Sequence, residues 1–293
     1  MRMPDRATSA PVGIVGLGLM GEVYARRLIE AGISVTGFDI DPARSARLAD
    51  IGGRPAPSVG DLAKSARCII LAVFSTEQVE HVVERELLPA LGEGSGKLVL
   101  CMSTCDPDRV AALASRIIPR GIRYLDVPVS GTSDQVGRGD GVTLIGGDPS
   151  IAEEVKDVFD ALFARRFHVG KVGDGGRAKL AVNLILGLNR LALAEGLVFA
   201  ERLGLDPAAF LDVARGSASY SQVMETKGPK MVRGDFSAEG RVKQTLKDVH
   251  LMLDRQKLSV LGVHADVLEA CVRAGEADLD NSAVIKEIRR RRT

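Results

Sequence analysis

Between Val12 and Gly170 the chain repeats one pattern: a short run of aliphatic and β-branched residues, then a stretch with helical spacing. Strands that alternate with helices in this way are joined by crossovers, which places them parallel in one sheet. Six runs carry the pattern: Val12–Val15, Ile33–Phe38, Cys68–Val73, Lys97–Met102, Ile122–Asp126 and Val142–Ile145. They are apolar almost throughout instead of alternating apolar with polar, which predicts strands covered on both faces. At about 150 residues per domain, a 293-residue chain has room for a second domain. The predicted domains are residues 1–174 and 175–293.

The rhythm stops after Gly173-Asp-Gly-Gly176. From Ala178 to Leu203 apolar residues follow one another with no turn dipeptide, predicting one long helix that is too apolar for a surface helix. Asn183, Asn189, Arg190, Glu195 and Glu201 interrupt it too often for a bilayer span, so it is expected to be the spine between the domains. Helix starts recur at Asp206-Pro207 and Asp235, with helical spacing through Val242–Leu261 and Ala265–Ala274. The second domain is expected to be all-helical.

Composition narrows the partners. With 39 Lys+Arg against 38 Asp+Glu the formal net charge is +1, so no overall field draws in nucleic acid or an anionic membrane, and neither is expected. No window approaches the roughly 18 uncharged apolar residues of a membrane span. Cys68, Cys101, Cys105 and Cys271 show no C-x-x-C or zinc spacing and are expected to be reduced core thiols, with no metal bound. Met1–Ala10 lacks the apolar stretch of a signal peptide, and a cytoplasmic location is expected. The basic run Ile288–Thr293 is expected to be a solvated, frayed terminus.

Gly16-Leu17-Gly18-Leu19-Met20-Gly21 fits G-x-G-x-x-G, follows the first strand directly and opens a helix reading Glu22 to Ala31. Gly16 permits the tight turn, Gly18 lets the backbone approach a pyrophosphate, and Gly21 lets helix and strand pack closely. The helix N-terminus then faces the negative charge. Asp39 ends the second strand 18 residues past Gly21, close to the spacing of an acid that grips a ribose. The fold class is therefore α/β, a Rossmann-type doubly wound, mostly parallel sheet, followed by a long interdomain helix and an all-α C-terminal domain. Asp39 favours NAD; Arg44, able to reach a 2′-phosphate, leaves NADP open.

Lys179 and Asn183, four apart on the long helix, share one face. A lysine there could hand a proton to or from a hydroxyl as hydride moves, and could stabilise the oxyanion. The same spacing also suits a surface lysine and an asparagine bonded to backbone. A second loop, Asp126-Val-Pro-Val-Ser-Gly-Thr132, lies at the carboxyl end of a predicted strand, where ligands of open α/β sheets collect. Its Ser130 hydroxyl and the amides of Gly131 and Thr132 could hold a carboxylate, or the loop could be an ordinary corner.

Together these segments resemble the β-hydroxyacid dehydrogenases typified by 3-hydroxyisobutyrate dehydrogenase. The family's Gly-Leu-Gly-x-Met-Gly is similar to Gly16–Gly21, its Asp-x-Pro-Val-Ser-Gly-Gly loop to Asp126–Thr132, its Lys-x-x-x-Asn helix to Lys179–Asn183, and its Lys-Asp-Leu to Lys247-Asp248-Val249. The resemblance spans about residues 11–290. It implies Lys179 as general acid/base, Asn183 as an orienting group, and Ser130 with Gly131 as carboxylate anchor. It further implies Lys247, with Ser103-Thr104, near the nicotinamide end of the cofactor, and Val73-Phe74 on its adenosine side. Thr132, Arg27 and Phe74 stand where the family usually has glycine, asparagine and proline.

The resulting expectation is a dinucleotide-dependent dehydrogenase for a small β-hydroxyacid or its semialdehyde, acting in the cleft between its domains as a homodimer or homotetramer. The alternatives are a glyoxylate or succinic semialdehyde reductase, an imine reductase, and a catalytically silent NAD-binding protein. Lys179 speaks against the imine branch, which typically lacks it. Tyr220, Met224, Lys227 and Phe236 are expected on the second domain's side of the pocket.

Overall fold

The computed structural model describes residues 10–291, so the stretch before Ala10, and Arg292 and Thr293 of the basic tail, lie outside it. Among the described residues nine strands form: β1 Val12–Val15, β2 Val35–Phe38, β3 Arg54–Pro55, β4 Cys68–Leu71, β5 Leu98–Cys101, β6 Arg123–Asp126, β7 Val129–Ser130, β8 Val142–Gly146 and β9 Arg165–Gly170. The six expected runs are among them; β3, β7 and β9 are additions. The strands make one sheet in the order β3-β2-β1-β4-β5-β6-β8-β7, with β9 against β8. From β3 through β6 neighbours are parallel, whereas β8 is antiparallel to β6 and β7. The order reverses between β1 and β4, so their carboxyl ends form the switch point at which such sheets bind ligands.

Alternate strand residues enter opposite cores. Ile14, Ile70 and Leu100 lie in one buried cluster, and Val15, Ile69, Leu71 and Val99 in another. Both faces are covered, as the uninterrupted apolar runs require.

Arg27, on the helix Leu19–Glu30, joins three helices of this unit. Its Nε and Nη2 donate to the Ala161 carbonyl at 3.1 and 2.8 Å, and its Nη1 to the Gly137 carbonyl at 3.5 Å. Those carbonyls end the helices Lys156–Leu162 and Ser133–Gly137, where backbone acceptors lack intrahelical donors and a cation suits the dipole. Arg27→Met is expected to cost about 1.5–3 kcal/mol, the range for hydrogen bonds to a charged group, read as a lower urea midpoint at unchanged slope.

The chain divides into two compact units, the first ending at Lys179 and the second beginning at Leu180. The break falls inside one continuous helix, Asp174–Arg202. This helix is long and apolar enough to cross a membrane by length and composition, with a mean hydropathy of 1.5 over an 18-residue window. Within the second unit it serves as a core helix: Leu191, Leu193, Ala194, Leu197 and Val198 are buried against residues that include Val249, Leu261, Leu268 and Ile285.

Three expectations for the second unit are corrected. Asp235 starts no helix; its carboxylate accepts from the Ser237 amide in a loop, and the next helix, Val242–Leu253, opens from Arg241. The single stretch Val242–Leu261 is two helices, because the chain turns at residues 254–258 before Ser259–Arg273. The basic tail is not frayed through Arg291: Arg289 pairs with Glu201, Arg290 with Glu276 and Glu287, and Arg291 with Glu287.

Candidate active site

The turn after β1 has the geometry its glycines allow. Gly16 sits at φ +94°, and a Cβ there would lie 2.6 Å from the Ala72 carbonyl oxygen. A Cβ on Gly21 would lie 1.9 Å from the Gly16 oxygen. Gly18 differs, since a Cβ there would meet only Arg44 Nη1, at 3.6 Å. Gly18 is also the N-cap of Leu19–Glu30 and supplies no side-chain hydrogen bond to its first turn. A backbone cradle open above Gly18 and a helix start without a side-chain cap fit a pyrophosphate. Leu17 is an exception within the motif: its side chain is core, and its amide donates to Asp39 Oδ2 at 2.7 Å instead of facing the cradle.

Asp39, at the end of β2, is buried and accepts from three donors: Leu17 N–H, Asp41 N–H at 2.9 Å and Arg44 Nη1 at 3.3 Å. Arg44 Nε lies 3.3 Å from Asp41 as well, so two carboxylates hold the guanidinium beside the turn. At the end of β4, the Val73 carbonyl accepts from the Ser103 hydroxyl at 2.8 Å, which makes Ser103 a tie between loops. Phe74 is 41% exposed with its amide on Gln78 Oε1, and Thr104 is half-buried beside Ser103.

In the Asp126–Thr132 loop, Ser130 is half-buried and Gly131 exposed, with φ +147°. Thr132 is otherwise occupied. It caps the helix Ser133–Gly137 in a reciprocal box: Thr132 Oγ1 accepts from Gln135 N–H at 3.2 Å, and Gln135 Oε1 accepts from Thr132 N–H at 2.9 Å. Its amide is thus already engaged by Gln135, and a substrate carboxylate would compete with that cap.

Asp126 was not singled out for a role, yet it pins the long helix. Its Oδ2 accepts from the Gly176 amide at 2.7 Å, three residues before Lys179. Glycine is needed next to it, because a Cβ on Gly175 would fall 2.6 Å from the Asp126 carbonyl oxygen. Burial pushes the Asp126 carboxyl up to about 6, against the opposing pull of hydrogen bonds from Gly176 and Gly173. A carboxyl raised in the folded state lends stability that is full below its unfolded pKa, near 4, and is lost as pH rises through about 6. Relative to the parent, Asp126→Asn is thus expected to gain about 3 kcal/mol between pH 4 and pH 7, checked by urea unfolding of both proteins across that range.

Lys179 is 7% exposed and stands one turn before Asn183 on the same helix. Within the second unit, Asn183 Nδ2 donates to Asp248 Oδ2 at 2.8 Å, and Lys247 Nζ lies 3.1 Å from Asp248 Oδ1. Asp248 thereby fixes which way the Asn183 amide faces. Of the second-unit residues expected near a pocket, Met224 is in the core and Lys227 is buried on Asp280 and Glu239. Phe236 packs on that core under Lys286, and Tyr220 is exposed. Among the described residues no group of three His, Cys, Asp or Glu side chains could hold a metal ion.

Residues 11–170 match the family model for the NAD binding domain of 6-phosphogluconate dehydrogenase. Residues 173–288 match that for the NAD-binding region of NADP-dependent 3-hydroxyisobutyrate dehydrogenase. The chain belongs to the 3-hydroxyisobutyrate dehydrogenase-like β-hydroxyacid dehydrogenases. This β-hydroxyacid dehydrogenase is 30% identical over 284 residues to L-threonate dehydrogenase of Cupriavidus necator, covering 95% of this chain and 96% of that one. It is 31% identical over 286 residues to glyoxylate/succinic semialdehyde reductase 1 of Arabidopsis thaliana, covering 95% and 98%. The 3-hydroxyisobutyrate dehydrogenase of Salmonella typhimurium superposes with a TM-score of 0.85 at 28% identity, covering 95% and 99%. The chain is accordingly an NAD(P)-dependent oxidoreductase that moves a hydride to or from the CH–OH carbon of a hydroxyacid/semialdehyde pair.

Proposed function

We propose that this enzyme interconverts a small 3-hydroxyisobutyrate-like β-hydroxyacid and its semialdehyde with NAD, and that Lys179 is the proton-transfer group. One observation carries this reading: a buried lysine on a helix turn anchored by Asp126, followed one turn later by an asparagine oriented by Asp248. The nicotinamide, when bound, supplies the hydride acceptor or donor. Lys179 Nζ removes the hydroxyl proton in the oxidative direction and returns it to the alkoxide in the reductive one. Asn183, facing one way because Asp248 holds its amide, orients the reacting oxygen. Ser130 Oγ and the Gly131 amide anchor the substrate carboxylate. Gly16, Gly18, Leu19, Met20 and Gly21 present the turn to the pyrophosphate; Val73, Phe74, Thr104 and Lys247 complete the cofactor's surroundings.

Preference for NAD rests on Asp39 and on the engagement of Arg44 by Asp39 and Asp41, which leaves its charge poorly placed for a 2′-phosphate. Reduction of glyoxylate or succinic semialdehyde is the second reading, favoured by the 31% identity to the Arabidopsis reductase over nearly the whole chain. Initial rates with NAD and NADP across a panel of 3-hydroxyisobutyrate, L-threonate, glyoxylate and succinic semialdehyde separate the two. A kcat/KM for 3-hydroxyisobutyrate at least about tenfold above the others supports the first reading. Cofactor binding without turnover on any of them removes both.

A homo-oligomeric state is part of the proposal, supported by Ile185, Phe199 and Leu203, large apolar side chains exposed along the long helix. Cytoplasmic location is supported by four free cysteines, all buried.

A further inference from the structure

The helix that follows the Asp126–Thr132 loop is too short to place itself. Ser133–Gly137 has five residues, well below the roughly twelve at which a helix persists alone, so its neighbours set its position. At its start the Thr132–Gln135 box joins it to the loop, and a Cβ on Gly131 would touch Val136 Cγ2 at 3.4 Å. At its end the chain doubles back: Gly139 N–H donates to the Val136 carbonyl at 2.9 Å, and Asp140 N–H to the Gln135 carbonyl at 2.8 Å. Val142 of β8 then pairs with Ser130 of β7, which closes residues 130–142 into one excursion with Ser130 at its base.

Val136 and Arg27 fasten that excursion to the rest of its unit. Val136 is fully buried in the cluster that holds Tyr24, Leu28 and Phe163. The returning turn wraps the Arg27 guanidinium: Gly139 sits at φ +85°, and a Cβ on it would lie 2.9 Å from Arg27 Nη2. Arg27 Nη1 reaches the Gly137 carbonyl, while Nε and Nη2 set the fork on the Ala161 carbonyl. No carboxylate pairs with Arg27 among the described residues, so this cation serves backbone carbonyls. Its helix, Leu19–Glu30, is the one that opens at the glycine turn, and Arg27 stands about 13 Å along the axis from Gly18. One element therefore carries the proposed pyrophosphate turn at its start and grips the excursion near its end.

We infer that Arg27 is a positioning residue for the acid substrate: it clamps the excursion so that Ser130 Oγ and the Gly131 amide keep a fixed place relative to the glycine turn. The inference rests on the proposed carboxylate anchor at Ser130 and Gly131, and Arg27 acts through that loop. A carboxylate is held alike before and during hydride transfer. A loosened anchor thus weakens ground state and transition state equally, and the loss falls on KM, with kcat retained.

Initial rates of the full-length protein with 3-hydroxyisobutyrate at saturating NAD, together with amide hydrogen exchange, test this. Arg27→Met is expected to raise KM by about fivefold to twentyfold, with kcat and NAD affinity within about twofold of the parent. It is also expected to speed exchange across residues 131–137 by about tenfold. Ile117→Val, which trims the opposite core, is expected to lower stability and to move neither readout. Arg27→Lys keeps a cation without the planar fork; it is expected to fall between parent and Arg27→Met, and it carries the test should Arg27→Met not fold. Ser130→Ala separates the two readings. If it raises KM while Arg27→Met does not, the clamp is wrong and the anchor stands; if it leaves KM at the parent value, the anchor itself fails and the clamp with it. Unchanged exchange across residues 131–137 in Arg27→Met overturns the clamp whichever substrate is turned over.

Discussion

Lys179→Ala is expected to lower kcat by about two to four orders of magnitude while leaving NAD affinity within about twofold of the parent. The amine is proposed to act on the substrate hydroxyl and the turn at Gly16–Gly21 to hold the cofactor, so one readout is expected to move and the other not. Equal melting temperatures and equal NAD titrations, measured alongside turnover, therefore isolate the chemical step. Undiminished kcat in Lys179→Ala would transfer the proton-handling role to another group. Asp248→Ala provides a milder comparison, since it frees the Asn183 amide and leaves the amine in place.

The second large effect is expected at the phosphate turn, where two glycines fail for different reasons. Gly21→Ala places a methyl 1.9 Å from the Gly16 carbonyl oxygen, a backbone atom that cannot swing aside. Helix and strand must then separate, with an expected loss of roughly 3 kcal/mol or more and of measurable NAD binding. Gly18→Ala meets only the end of Arg44, at 3.6 Å, so the fold is expected to keep its stability. NAD affinity should still fall by about tenfold or more, because the methyl fills the space above the turn. Paired urea curves and cofactor titrations check both; if Gly18→Ala binds NAD as tightly as the parent, the turn is not the pyrophosphate site.

What could be read from the amino acids follows from how local each signal is. The central strands were legible because residues such as Ile69-Ile70-Leu71 are buried on both faces and leave an uninterrupted apolar run. β9 was not: its Arg165-Arg166-Phe167-His168 is largely solvated on an outer strand, and β3 is only two residues long. The helix break at residues 254–258 hides in a segment whose apolar spacing continues on either side. Thr132-Ser133-Asp134-Gln135 carries the capping signature that the structure realises as a reciprocal box. The Asp126–Gly176 and Asn183–Asp248 bonds join residues 50 and 65 apart, and no local pattern announces such pairs.

Arg44 closes the account of coenzyme choice. Its guanidinium already stands over the turn, restrained by Asp39 and Asp41. The proposed preference for NAD therefore rests on a latch made of neighbouring acids. On that proposal, losing either acid would release a cation that already stands beside the turn, a change made by subtraction alone.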